Sequence, residues 1–377
     1  MNTIFKNKTG VRIVASKDSW IEGKAERQLL KTSELDGVEY SVGFPDIHPG
    51  RGIPIGAAYL IRGIIYPCLI GNDVGCGISL FRTGIRKNKI KIDAWIRKLG
   101  DLNDSHGLDI ACWMDQLGVK TPPTDTALGT IGSGNHFAEL QTIETVLNKE
   151  VFSGMGLDKN LLTLVVHSGS RGIGETLLRR HIDNYGAGGL RADSREGKEY
   201  LTRHGQALKW AVCNRAAIAA KFASRIGTDC RPIIDTCHNE ISYVNYDNEG
   251  FWLHRKGAVG SDSGPVLIPG SRGSLSYLVR PKGDQRKNLL SLPHGAGRKW
   301  DRAGCRERLR SRYDINALKR TGLGGRVICD DRALLYEEAP QAYKNIGQVI
   351  QDLLDEDLVE VIATFKPLVT YKNRKKE

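Results

Sequence analysis

The spacing of apolar positions divides the chain into elements before any chemistry is considered. Residues 11–40 read as a short strand followed by a helix around Ile21–Leu30. Residues 57–70 are apolar and β-branched, which predicts a buried strand, and Ile78–Phe81 predicts the next one. A helix is expected near Ile92–Leu99, and the remainder of 88–127 is mixed and polar. Leu161–Val166, Ile233-Ile234, Val266–Ile268 and Arg326–Cys329 read as strands or parts of strands. Between Gly205 and Gly227, apolar Leu208, Val212, Ile218, Phe222 and Ile226 recur at helical spacing, so this is the clearest helix, with Gly227 as its stop. Ile346, Val349, Ile350, Leu353 and Leu354 make residues 342–354 amphipathic. No internal repeat and no change of composition marks a linker. The pattern predicts an α+β fold, one large mixed domain over residues 1–377 with 372–377 as a basic tail.

Composition narrows the class. No apolar run reaches the roughly 18 residues needed to cross a bilayer, and Met1–Val14 is polar and basic, without the apolar core of a signal peptide. A cytoplasmic protein with no membrane association is expected. Its eight cysteines include no Cys-x-x-Cys pair, which fits a reducing compartment. The net charge of +12 points to a polyanionic partner. The excess is clustered at Arg86–Lys98, at Arg298–Arg312 and in the tail at Lys372–Lys376. A charge run is commonly only a solvated face, and the tail is read that way. The Arg298–Arg312 run follows a candidate reactive histidine and suits phosphate as well as it suits solvent.

The chemistry centres on Gly71-Asn72-Asp73-Val74-Gly75-Cys76-Gly77, where glycines let a carboxylate and a thiol converge on one point. Both ligate as anions, so the turn offers half of a metal site; taken alone it is more often a tight turn around a buried cysteine. His136, His167 and His238 also stand at the ends of apolar runs, where backbone holds them rigidly. With Asp73 and Cys76 they make five potential ligands, enough for two ions if the thiolate bridges. Ligand softness alone favours zinc or iron. Gly43–Gly56 is too rich in proline and glycine for a regular element, and reads either as a rigid loop presenting Asp46, His48 and Arg51 or as a structural crossover. Ser168–Gly174 is a glycine loop after a strand, and the serine-rich loop at Ser271–Ser276 suits phosphate through amides and hydroxyls. There is no P-loop, no His-Glu-x-x-His and no Lys-x-Asp-Gly. If a nucleotide is attached covalently, His294 in Leu292-Pro293-His294-Gly295-Ala296-Gly297-Arg298 is the available nucleophile, because a neutral imidazole can attack phosphorus.

Across nearly its whole length the chain resembles the RtcB-type RNA ligases. The matching motifs are Pro45–Gly50, Leu128–Glu139 with its Gly-Ser-Gly-Asn-His-Phe core, His167–Gly174, His254–Ala258, Val266–Tyr277, His294–Arg298 and Glu337–Lys344. The resemblance implies a manganese- and GTP-dependent enzyme that joins an RNA 3′-phosphate or 2′,3′-cyclic phosphate to a 5′-hydroxyl. Carried over by position, Asp73, Cys76, His136, His167 and His238 are the metal ligands and His294 takes GMP. Asn135, Phe137, Glu139, Ser271, Ser276, Tyr343 and Lys372 fall on positions that contact the guanylate. Arg298, Arg302 and the Asp46–Arg51 loop are the candidates for holding the RNA ends. The family's manganese overrides the argument from ligand softness. The heptad departs from the family's usual Gly-Phe-Asp-Ile-Asn-Cys-Gly at Asn72, Val74 and Gly75, and the chain continues past Lys372. Its short length is similar to a compact bacterial branch that accompanies a release-factor-like protein, which implies RNA repair. The rival readings are a metal-dependent cyclic phosphodiesterase that does not ligate, and a basic RNA-binding protein without catalysis.

Overall fold

The computed structural model describes residues 10–102 and 127–374; Cys112, the start of the chain and the tail from Lys375 onward lie outside them. Among the described residues two large sheets carry the mixed α+β fold. The first is eight-stranded, in the order Val266–Ile268, Ser276–Pro281, Val359–Asn373, Phe137–Val146, Leu161–Ser168, Gly77–Arg86 and Cys230–Cys237, with Arg326–Cys329 parallel to Val359–Asn373. The second is five-stranded, in the order Gly10–Ile13, Val38–His48, Ile55–Ile61, Glu249–Lys256 and Asn239–Tyr246. A single residue, His238, separates the edge strand of one sheet from the edge strand of the other. Among the described residues no helix is long and apolar enough to cross a membrane.

The register decides where chemistry can gather. Ile78 and Phe137 both pair with His167, and Gly77 pairs with Ser168 on one side and Cys237 on the other. Cys76, His136, His167 and His238 therefore lie at the same end of four neighbouring strands. The long helix Arg195–Ile226 lies against this sheet, packing Ile218, Phe222 and Ile226 on Leu140, Leu164 and Val166. Ser194 caps it, its hydroxyl accepting from Gly197 N at 3.0 Å, and Gly227 ends it at φ 77°.

Some elements differ from expectation. The strand expected over 57–70 is divided into Ile55–Ile61, the short Ile64–Ile65 and a one-turn helix Pro67–Ile70. Gly63, at φ 65°, turns the chain, and Pro67 suits a helical first position because its missing N–H would be unpaired there anyway. The irregular loop expected at 43–56 is in fact largely strand, since Val38–His48 runs through Pro45. It can do so because the ladder skips from Gly43↔Ala57 to His48↔Ile55, so Pro45 is never required to donate. The helix expected to begin at Gly205 begins ten residues earlier, at Arg195.

Candidate active site

Cys76 Sγ stands between two imidazoles, 3.3 Å from His136 Nε2 and 3.2 Å from His167 Nε2. These three ligand atoms lie within 4.8 Å of one another. Asp73 Oδ2 extends the cluster on one side, 2.9 Å from His136 Nε2, and His238 Nε2 extends it on the other, 3.3 Å from His167 Nε2. The structure thus brings all five expected ligands together.

Their protonation fits a cation. His136 Nδ1 lies 3.0 Å from Ile131 O, which orients the ring so that Nε2 is the nitrogen turned to Asp73 and Cys76. Burial holds His167 and His238 well below the usual imidazole range, so both are neutral. Their Nε2 atoms lie 3.3 Å apart. Asp73 is held below the usual carboxylate range: burial opposes this, but the charge and hydrogen bond of His136 outweigh it. Burial pushes the Cys76 thiol far up, so a cation must displace its proton in order to bind. One anionic oxygen, one sulfur and three imidazole nitrogens form a donor set for one or two divalent cations.

The turn that presents Asp73 and Cys76 is clamped from outside. Asn239 Nδ2 donates to Asp73 O at 3.1 Å, and Arg215 Nη1 donates to Gly75 O at 2.8 Å. Gly75 has φ 74°, and a Cβ there would sit 2.8 Å from Ala211 Cβ. Glycine at this position therefore lets the turn press against the long helix, and Val74 fills a fully buried apolar site.

His294 follows the short strand Ser291–Pro293 and enters the same space, its ring centroid 4.9 Å from that of His238. Asp46 Oδ2 lies 2.7 Å from His294 Nδ1 as an ion pair, and neither oxygen of this buried carboxylate nor Nδ1 makes a hydrogen bond of good geometry. This corrects the expectation that Asp46 faces RNA: its carboxylate is 0% exposed beneath His294. Gly297, at φ 69°, allows the approach, because a Cβ there would stand 2.1 Å from Asp46 O. Burial takes His48 down to about 3, and its ring stacks beside His294 at 6.5 Å.

A cavity of about 520 Å³ joins these groups to most of the expected guanylate residues. Asn135, Phe137, Glu139, Ser271, Tyr343 and Lys372 line it together with Arg51, Arg298 and Arg302. Ser276 does not line it: its buried hydroxyl accepts from Gln141 Nε2, which also donates to Glu139, so Ser276 stands behind the wall. Lys372 Nζ donates to Gly134 O at 2.9 Å and His136 O at 3.1 Å, and burial lowers it to about 8.

Sequence reasoning missed several supporting groups. The Glu338 carboxylate accepts from Tyr343 Oη and from Arg298 Nη1 at 3.1 Å, with Arg302 Nε at 3.6 Å. Asn214 accepts from Gly129 N and donates to Thr130 O, Ser168 Oγ and Gly169 O, tying two segments to the long helix. Arg215 bonds Gly75 O, Ser168 O and Asp235. The signal was two polar residues inside the apolar stripe of the clearest helix.

The sequence profile of the family described as tRNA-splicing ligase RtcB matches residues 28–107 and 119–373. The RNA-splicing ligase RtcB2 of Escherichia coli ATCC 25922 is 44% identical over 363 residues, covering 96% of this chain and 95% of that protein. The RNA-splicing ligase RtcB of Escherichia coli K12 is 27% identical, covering 93% and 95%. The tRNA-splicing ligase RtcB of Archaeoglobus fulgidus is 27% identical, covering 92% and 91%. With matches that run from end to end and a Cys–His cluster at the ends of its central strands, this chain belongs to the RtcB family.

Proposed function

We propose that this chain is an RNA ligase, working as one catalytic domain, that uses GTP to join an RNA 3′-phosphate or 2′,3′-cyclic phosphate to a 5′-hydroxyl, in RNA repair. The observation that carries this reading is His294 standing 4.9 Å, ring to ring, from the edge of a five-ligand cluster, with a buried carboxylate at its other nitrogen. A cyclic phosphodiesterase would need the cluster but not that nucleophile. A binding protein without catalysis would need neither.

The protein's own groups account for the steps. Asp46, 2.7 Å from Nδ1, would keep the ring proton of His294 on that nitrogen, which leaves the Nε2 lone pair to attack. That nitrogen bonds to the α-phosphorus of GTP, the bond from the α-phosphorus to the β-phosphate oxygen breaks, and pyrophosphate leaves. A 2′,3′-cyclic end is first opened by water, whose oxygen bonds to phosphorus as the P–O2′ bond breaks and the 2′-oxygen takes a proton; an oxygen of the RNA 3′-phosphate then attacks the guanylate phosphorus and breaks the P–N bond, carrying GMP to the RNA end. Last, the 5′-hydroxyl oxygen attacks the RNA phosphorus, GMP departs and the hydroxyl proton is released. Divalent cations held by Asp73, Cys76, His136, His167 and His238, with manganese as the family's metal, would neutralise phosphate charge where it develops. Glu139, Ser271, Tyr343 and Lys372 line the cavity where the guanylate would sit, and Arg51, Arg298 and Arg302 bring positive charge for phosphates to its wall.

GTP labelled on the α-phosphate tests the reading. Wild-type protein with manganese is expected to retain label through denaturation, and His294→Ala to retain none. Cyclic-phosphate opening without covalent label would place the protein among the phosphodiesterases.

A further inference from the structure

A second cavity of about 460 Å³ adjoins the first, and the two share Lys24, His48, Pro49, Arg298 and Asp301 as walls. Its volume falls within the roughly 300–1,000 Å³ of small-ligand clefts. Two tryptophans distinguish it. Trp20 comes from the loop before the helix Gly23–Ser33 and is 47% exposed, although a large apolar ring on a soluble surface is ordinarily covered. Trp300 lies six residues after His294 and leads into the basic helix Arg302–Arg310.

The charge around the rings is mainly positive. Lys24, Lys299 and Arg308 are exposed there, against Glu22 and an Asp301 whose carboxylate already caps Gly304 N at 2.6 Å. Arg308 Cζ lies 5.2 Å from the Trp300 ring centroid; Lys344 Nζ, 5.9 Å from that of Trp20, is buried and donates to Pro45 O and Ile47 O, so the cations open to a backbone are Lys24, Lys299 and Arg308. Flat aromatic faces interleaved with cations are the arrangement that holds single-stranded nucleic acid: the rings take bases and the cations take the backbone. The shared wall of His48 and Arg298 makes this a continuation of the reaction cavity.

Resting on the ligase reading above, we infer that this second cavity is a stacking subsite for the terminal bases of a single-stranded RNA end, built on Trp20 and Trp300. A strand whose terminal phosphate lies beside His294 would then have its next bases against these rings. Because every base has a stacking face, the subsite would accept ends of any sequence, as a repair enzyme requires.

Trp20 lies on the surface, so Trp20→Ala keeps the fold; Trp300→Leu keeps an apolar filler for the packed side of that residue. The readouts are covalent labelling by GTP and the affinity for a single-stranded RNA carrying a 3′-phosphate, with and without abasic terminal nucleotides. Labelling is expected to match wild type in both variants. Affinity for the intact RNA should fall about tenfold or more in each, the magnitude of one lost base–aromatic stack. Trp20→Phe should recover most of it, and abasic ends should weaken binding to wild type but not further to Trp20→Ala. Intact-RNA affinity within twofold of wild type in both variants overturns the subsite and leaves the ligase reading in place. Tryptophan-dependent RNA binding by a wild-type protein that takes no GTP label does the opposite.

Discussion

Asp46 has no route to solvent, and what it meets is the Nδ1 edge of His294. An acid so placed fixes the tautomer of the imidazole and offsets the charge that develops when Nε2 bonds to phosphorus. Asp46→Asn keeps the shape and removes the anion. Guanylylation is expected to slow by about 10- to 100-fold, the usual cost of losing the partner that orients an imidazole, while bound metal, measured on the same preparation, stays at the wild-type level. A variant that labels at full speed would reduce Asp46 to a structural role. Cys76 is the complementary case, since its sulfur is the atom central to the cluster. Cys76→Ser fills nearly the same volume, but a hydroxyl does not ionise at neutral pH and cannot act as a shared anionic ligand. Metal content and covalent labelling should fall together, with the circular dichroism spectrum unchanged; full labelling would contradict the assignment of this cluster to the metal.

At the scale of elements, the helix Arg195–Ile226 does more than cover a sheet. Its Arg215 guanidinium, 1% exposed, is divided between the Gly75 carbonyl under the Asp73–Cys76 turn, the Ser168 carbonyl beyond His167 and the Asp235 carboxylate at 2.6 Å. Arg215→Met would fill the space and leave two carbonyls and a carboxylate without their donor. Leaving the two carbonyls unpaired costs about 1–3 kcal/mol each, to be read from urea unfolding, while Asp235, 29% exposed and still bonded by Ser79, adds less. Metal affinity should fall with it, because the turn loses its clamp. The clamp also shows what a pattern of residues can and cannot convey. The helix itself was legible because its apolar spacing is a local property, and His136, His167 and His238 were legible because each ends an apolar run. Asn214 and Arg215 were not, since their partners lie far away in the sequence at Gly129, Ser168 and Asp235. The strand Val359–Asn373 went unread for another reason. It is covered along most of its length and carries Glu360, Lys366 and Pro367, so it shows neither strict alternation nor a clean apolar run. Pro45 misled in the opposite direction, because the skipped ladder that tolerates it is set by the neighbouring strand. Asp46 could be picked out as a functional residue from its motif, but its direction could not, as that depends on how Gly297 packs against it.

For the whole molecule, the joints between layers rest on histidines that must remain neutral. His204, on the long helix and 2% exposed, accepts from Ile241 N of the five-stranded sheet at 3.1 Å. His254, fully buried in that sheet, accepts from Tyr66 N at 2.9 Å. Burial takes His204 from 6.5 down to about 4 and His254 down to about 3. The folded pKa values lie below the unfolded one, so as pH falls the unfolded chain takes up these protons first. Stability is therefore complete above about pH 6.5 and is lost progressively as pH drops towards the folded values. At pH 5 each histidine should cost the fold about 2 kcal/mol relative to pH 7, on the usual 1.4 kcal/mol per pKa unit. Lys344 and Lys372, lowered to about 8, are largely protonated in both states over that interval and contribute little to the slope. Urea unfolding at pH 7 and pH 5 measures the effect, and His204→Gln isolates one part of it, since an amide oxygen can accept from Ile241 N without titrating. The variant should lose about 2 kcal/mol less than wild type between the two pH values. An identical loss in both proteins would mean that His204 is free to take its proton in the folded state, and that the joint between helix and sheet does not depend on a neutral imidazole.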